Sequence, residues 1–166
     1  GLDSSAGMLN IDAANSCEIA CLTVPFAHQE STLLSIEDGL ANKIMIDATV
    51  PLMPPKVMRV QLPKIGSAAL NAQAILGENT TVVSAFQNIS AELLQTDADI
   101  DCDVLVAGDL IDARNTVIEL AADAGLTGWH AGPLCNSVAA EALTSILIAI
   151  NKKHSLAHSG IKITGH

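Results

Sequence analysis

Two passages decide how this chain folds: Glu18-Ile-Ala-Cys-Leu-Thr-Val-Pro25 and Lys43-Ile-Met-Ile-Asp-Ala-Thr-Val-Pro51. Each is a short apolar run of β character that halts at Thr-Val-Pro. Between them, residues 27–40 place Leu33, Leu34, Ile36 and Leu40 on one side of an amphipathic helix, with Gly39 near its end. Strand, helix and strand make one βαβ unit, and the two Thr-Val-Pro stops fall at the edge where α/β sheets bind ligands.

Alternation continues outward from this unit. Residues 11–15 form a helical turn leading into the first strand. The stretch 51–63 holds four prolines in thirteen residues, which forbids a helix or a central strand and predicts an excursion over the surface. Gly66 or Ser67 caps an alanine-rich helix over 68–76, closed by Gly77. A β-branched strand over 80–86 exits through Gln87-Asn88-Ile89-Ser90, followed by a short helical piece over 91–95. Further strands are expected at 103–107 and 126–130, with a helix over 112–124 between them. A long helix spans 135–151, and Gly160-Ile-Lys-Ile-Thr164 forms an edge strand. The pattern predicts an α/β fold, Rossmann-like, with a mostly parallel sheet flanked by helices and a small C-terminal helical part. Residues 1–131 form the later part of a Rossmann-like domain, and 132–166 form the C-terminal helix and short strand.

Composition narrows the function. Of the 166 residues, 49% are apolar and only 16% charged, so the chain can bury a sizeable core. Aromatics at 2% leave Ala, Val, Ile and Leu to build that core, as suits strands buried on both faces. A net charge of −10 argues against nucleic acid and anionic membrane as partners. Apolar runs stop short of the ~18 residues of a membrane span; the most apolar helix is interrupted by Glu141, Thr144 and Ser145. Cys17, Cys21, Cys102 and Cys135 form no Cys-x-x-Cys pair, which fits a reduced, cytoplasmic setting. The sequence starts at Gly1, without Met, signal peptide or basic leader, as a fragment or trimmed product would.

Protein-borne chemistry is scarce. The five histidines are dispersed, and alternating Asp97, Asp99, Asp101 and Asp103 lack the glycine and closing glutamate of a calcium loop, so they read as an acidic lead into a strand. No Gly-x-Ser-x-Gly elbow occurs, and neither Gly-x-Gly-x-x-Gly nor Gly-x-x-x-x-Gly-Lys-Ser/Thr is present. What remains are the strand-end loops Thr23-Val24-Pro25, Thr49-Val50-Pro51 and Gln87-Asn88-Ile89-Ser90-Ala91. They are either ordinary turns or the wall of a ligand crevice. Hydride transfer between two bound cofactors would suit them, since it asks for no acid, base or nucleophile from the protein.

Longer strings then resemble a family. Leu22-Thr-Val-Pro-Phe26, Asp47-Ala-Thr-Val-Pro51, Pro54-Pro-Lys56, Arg59-Val-Gln-Leu-Pro63, Gly66-Ser-Ala-Ala69, Val82-Val-Ser-Ala-Phe-Gln-Asn88, Asp101-Cys-Asp-Val-Leu105, Ala131-Gly-Pro-Leu134, Asn136 and Glu141-Ala-Leu-Thr-Ser145 are similar, in order, to the NADPH-dependent reductases of coenzyme F420. The resemblance implies a Rossmann domain, a homodimer, and reversible hydride transfer between NADP(H) and an 8-hydroxy-5-deazaflavin. It places Thr23, Val24, Pro25, Thr49, Val50, Pro51, Gln87, Asn88, Ile89, Ala91 and Ser159 at the cofactors. Val24, Val50 and Ala91 would line the NADP side; Val50, Gln87, Ile89 and the Ser159-Gly160 end would lie near the deazaflavin. Gln87 stands where some members carry histidine.

The family's opening strand, glycine-rich turn and Ser-Arg pair have no counterpart in these residues. The helix N-terminus that offsets a pyrophosphate goes with them, so the chain by itself is expected to bind NADP weakly. Two alternatives stay open: a related NAD(P)-dependent reductase of another acceptor, such as an imine or metal chelate, and a non-catalytic dimerisation module.

Overall fold

The computed structural model describes residues 7–96 and 98–165. Residues 1–6, Asp97 of the acidic run and His166 of the polar tail lie outside the described residues.

Among the described residues, five strands form one sheet in the order β1-β2-β3-β4-β5: Ile19–Leu22, Ile44–Asp47, Thr81–Ser84, Asp103–Gly108 and Thr127–Gly132. Strands β1, β2 and β3 run parallel, with Ile19 opposite Ile44 and Ile44 opposite Thr81. The β3–β4 pair is antiparallel, Ser84 facing Ala107, and β4 and β5 are again parallel. The sheet is therefore mostly parallel, as the alternation predicts, with one reversal that the alternation did not reveal.

That reversal explains how the helices are distributed. Alternate residues of a strand face opposite sides of the sheet. Met45 and Val82 join Leu33, Ile36, Ala69, Ala72 and Leu76 in one core. Ile46 and Val83 join Val104, Val106, Ala113, Val117 and Ala121 in the other. The first core is covered by α1 (Asn10–Ser16), α2 (Gln29–Ile36) and α3 (Ala68–Leu76), the second by α4 (Ile111–Asp123). A right-handed crossover fixes the helix face for a given strand direction. Reversing the direction at β4 while stepping the same way along the sheet sends the next helix to the opposite face.

Local chemistry sets the element ends. Ser67 Oγ accepts the N–H of Leu70 at 3.0 Å and caps α3, and Gly77 closes that helix at φ +64°. The helix expected over 27–40 is three pieces, because 3₁₀ turns at Phe26–His28 and Glu37–Leu40 flank α2. The expected helical piece over 91–95 is the 3₁₀ turn Leu93–Gln95. The proline-rich excursion contains no helix or strand and is ordered by turns, Lys56 N–H to Met53 O and Arg59 N–H to Lys56 O, both 3.0 Å.

Two expectations are corrected. Residues 160–164 add no strand to the sheet. They run extended past the start of β4, where the Asp103 N–H donates to Ile161 O at 2.9 Å and the Ile163 N–H goes to the Asp103 carboxylate. A side chain has taken the place of the second ladder bond. The second concerns Leu134–His154, which joins the 3₁₀ turn Leu134–Asn136 to α5 (Ser137–His154). An 18-residue window within these 21 residues has a mean hydropathy of 1.4, long and apolar enough by composition alone to cross a membrane. In this fold α5 packs against α3 and β4, with Glu141 and Ser145 buried among its polar residues.

Candidate functional site

The site is the edge at which β1, β2 and β3 end and β4 begins. At Phe86 the chain leaves β3 with φ +72°, a left-handed conformation unusual for a bulky residue. This turn folds Gln87 back under the edge, where Nε2 donates to Asp47 O at 2.8 Å and to Ser84 Oγ at 2.7 Å. Asn88 Nδ2 reaches across to Ala140 O (2.9 Å) and Thr144 Oγ1 (3.1 Å) of α5, and Thr144 Oγ1 donates to Gln87 O. The loop is thus locked to β2 on one side and to α5 on the other.

Two clefts open on this loop. The larger, ≈ 650 Å³, is lined by Thr23, Ala48, Gln87, Ile89, Ala91 and Leu94, with the end of α4 closing its far wall. The smaller, ≈ 180 Å³, is bounded by Asn88, Thr144, His158 and Ser159, and by the same Gln87 and Ile89. Residues 87–89 are the partition between them. Gln87 Oε1 is buried with no hydrogen-bond partner among the described residues, and it is an acceptor beside both clefts. A buried acceptor left unpaired is costly.

The eleven residues expected at the cofactors are only partly assembled. Thr23, Gln87, Ile89 and Ala91 share the large cleft, and Gln87, Asn88, Ile89 and Ser159 the small one. Thr23 and Val24 also line a ≈ 300 Å³ groove along the open edge of β1. Pro25, Thr49, Val50 and Pro51 line none of these three. Pro25 is exposed and Val50 half-buried, and Pro51 and Thr49 are buried. Thr49 is turned into a polar cluster below the edge.

That cluster is what reading the sequence missed. Asp47 is wholly buried. Its Oδ1 accepts the Thr49 N–H at 2.8 Å and its Oδ2 accepts Gln29 Nε2 at 2.7 Å. Gln29 Nε2 also reaches Thr49 Oγ1 and Ala68 O, and Gln29 Oε1 accepts Asn71 Nδ2 at 3.0 Å. Beside it, the carboxylate of Glu141 in α5 accepts the N–H groups of Ala68 (2.7 Å) and Ala69 (3.1 Å) at the start of α3. Burial raises Asp47 to about 6 even though Thr49 and Gln29 stabilise its charge. Burial also raises Glu141, to about 7, opposed by the Ala68 and Ala69 N–H groups and reinforced by the Asp47 charge. Both residues carried a signal: an Asp ending an apolar strand, and a Glu inside the most apolar helix.

The C-terminal tail forms one wall of the small cleft. Ser159 N–H donates to Asn151 Oδ1 at 3.1 Å, and His158 Nδ1 lies 3.0 Å from Ser90 Oγ. Gly160 passes so close to Cys102 that any Cβ there would collide with the thiol side chain. Among the described residues no group of three or more His, Cys, Asp or Glu could hold a metal ion.

Comparison with known proteins adds to this geometry. No family model matches the chain. Over 168 residues, however, the chain is 40% identical to the F420-dependent NADP reductase of Methanothermobacter thermautotrophicus, covering 97% of this chain and 72% of that protein. It belongs to the F420-dependent NADP reductase family. The enzyme of the same name from Methanothermobacter marburgensis is 38% identical over 164 residues, covering 95% of this chain and 73% of the relative. A crystal structure from Arthrobacter sp. FB24 superposes with a TM-score of 0.84 at 22% identity, over 95% of this chain and 74% of that one. That match supports the fold of the reductase family member described here, a five-stranded sheet followed by a long C-terminal helix.

Proposed function

We propose that this chain forms the ring-binding portion of an F420-dependent NADP reductase, in which hydride passes reversibly between NADP(H) and the deazaflavin coenzyme F420. The observation that carries this reading is the partition loop. Gln87 and Ile89 stand between two clefts, and Gln87, which lines both, keeps a buried Oε1 with no hydrogen-bond partner among the described residues. Kinship with reductases named for these two substrates supports it.

The cofactors supply the redox chemistry. The protein's part is to hold two rings within ~3–3.5 Å of one another and to exclude water. Ile89, Ala91 and Leu94 give the large cleft an apolar lining. Asp47 fixes the carboxyl ends of β2 and β3 together through Thr49 and Gln87.

For the nucleotide's charged end the fit is poorer. The sequence holds no glycine-rich phosphate turn. Among the described residues β1 pairs only with β2, which leaves an open edge where a further strand could extend the sheet. The 166-residue chain therefore binds NADPH weakly by itself, and isothermal titration returning a micromolar Kd would contradict this. A homodimer belongs to the same proposal and is tested by sedimentation.

The decisive experiment adds NADPH, at roughly ten times a weak Kd, to protein and oxidised coenzyme F420 and follows the deazaflavin absorbance. Loss of that band supports the reading. Tight coenzyme binding by fluorescence without bleaching would favour the non-catalytic module. No binding of the deazaflavin at all would favour a reductase of another acceptor.

A further inference from the structure

The chain's charge is unevenly distributed. It carries 18 acidic and 8 basic residues, yet no Asp or Glu occurs between Asp47 and Glu78. Lys56, Arg59 and Lys64 all fall in that interval, on the proline-rich loop that leaves the site directly after Val50-Pro51. All three are exposed, and among the described residues none of them enters an ion pair. Elsewhere the free cations Lys152 and Lys153 close α5, at the negative end of that helix.

The loop is also held in place. Successive turns set Lys56 and Arg59 three residues apart, and Gln61 Nε2 donates to Lys56 O at 3.2 Å. Ser145 Oγ of α5 donates to Arg59 O at 3.4 Å. The preceding residue, Thr144, donates to Gln87 O of the partition loop. Arg59 is therefore anchored one α5 residue away from the wall of the ring clefts.

We infer that the loop 52–65 is an anion site that holds the phosphate- and carboxylate-bearing chain of a substrate whose ring occupies the adjacent cleft. On an acidic protein such a chain is repelled everywhere except where cations are concentrated. The inference rests on the deazaflavin–NADP reading above. Both substrates meet its chemistry: coenzyme F420 extends from its ring as a phosphodiester and glutamyl carboxylates, and NADPH carries three phosphates. The loop's bond to Ser145 of α5, next to Thr144 in the wall of the small cleft, favours the deazaflavin chain.

Two matched double variants test this in the 166-residue chain, each removing two exposed cations: K56Q/R59Q in the loop and K152Q/K153Q at the end of α5. Binding of coenzyme F420 and of its tail-free 8-hydroxy-5-deazaflavin is read by fluorescence anisotropy, and binding of NADPH by calorimetry. The expected result is that K56Q/R59Q weakens the tailed coenzyme about five- to tenfold, within the range for two exposed ion pairs. The tail-free form is unchanged, and K152Q/K153Q behaves as wild type. Raising salt to about 0.5 M should reproduce the loss, because exposed pairs are screened. A loss confined to NADPH would keep the anion site and assign it to the nucleotide. Equal weakening by both double variants, or equal loss for the tail-free form, overturns the inference. Failure of wild type to bind even the tail-free ring would instead overturn the deazaflavin reading, and this inference with it.

Discussion

Gln29 Nε2 lies 2.7 Å from Asp47 Oδ2, and neither residue is exposed to solvent. One amide group thereby supports a buried carboxylate, and it shares its hydrogens with Thr49 Oγ1 and Ala68 O. The strand end, the loop after it and the start of α3 meet at this single side chain.

Removing it should be expensive. Gln29→Ala takes a donor from a buried carboxylate and leaves Asn71 Nδ2 without its acceptor. The expected loss is about 2–4 kcal/mol of unfolding free energy, the range for orphaned buried polar and charged groups. Urea unfolding monitored by circular dichroism measures it. A loss under about 0.5 kcal/mol would show that the cluster rearranges around the gap.

The paired carboxylates give stability an unusual pH dependence. Asp47 is raised to about 6 and Glu141 to about 7, so the folded chain keeps protons that the unfolded chain releases near pH 4. Where the native state binds more protons, stability falls as pH rises. The stabilising contribution is fully present below pH ~4, shrinks up to pH ~7, and levels off above. Denaturant midpoints at pH 5 and pH 8 should therefore differ in favour of pH 5. Glu141→Gln, which cannot ionise, should flatten part of that slope. A wild-type midpoint that rises from pH 5 to pH 8 would contradict these assignments.

Gln87 is the residue on which the ring site depends. Gln87→Leu keeps volume at the partition but removes the acceptor Oε1 and the bonds to Asp47 O and Ser84 Oγ. Binding of the tail-free deazaflavin should weaken roughly tenfold, the effect of one hydrogen bond to a buried group. Gln87→Glu keeps an acceptor and should lose less in ring affinity, although it adds a negative charge near Asp47. Equal affinity in wild type and Gln87→Leu would remove Gln87 from the site.

How far the sequence could carry these conclusions depends on the range of the interaction. The βαβ unit was legible because apolar period and Thr-Val-Pro stops are local signals, and β1 and β2 end within two residues of Val24 and Thr49. Ser67 and Gly77 announced the ends of α3 for the same reason. The β3–β4 reversal was not legible, since nothing in the β-branched run over 80–86 records which way the following strand points. The polar cluster was missed because Gln29, Asp47, Asn71 and Glu141 are distant in sequence: Gln29 and Asn71 look like ordinary surface residues, and the apolar settings of Asp47 and Glu141 do not say what partners them. Pro25, Thr49, Val50 and Pro51 looked equivalent to the other loop residues. Only the fold separates Thr49, drawn inward by Asp47, from Thr23, which is exposed at the cleft.

The tail offers a test that reads itself out optically. Trp129 is the sole tryptophan, and its Nε1 donates to Asp103 Oδ2 at 2.9 Å. The same oxygen accepts the Ile163 N–H of the tail at 2.8 Å, and Lys162 Nζ lies 3.3 Å from Oδ1. Burial works against the Asp103 charge, but the Ile163 N–H, Trp129 and Lys162 outweigh it and hold the carboxyl below its ordinary range. A lowered carboxyl contributes stability above its unfolded pKa of ~4 and loses it as pH falls through the folded value. Trp129 emission should stay level from neutral pH down past pH ~4 and change only in more acid solution. Asp103→Asn should abolish that transition and free the tail, so that proteolysis after Lys162 becomes faster at neutral pH. An emission change centred above pH 4, or a tail in Asp103→Asn as resistant as in wild type, would mean that Asp103 does not fasten it.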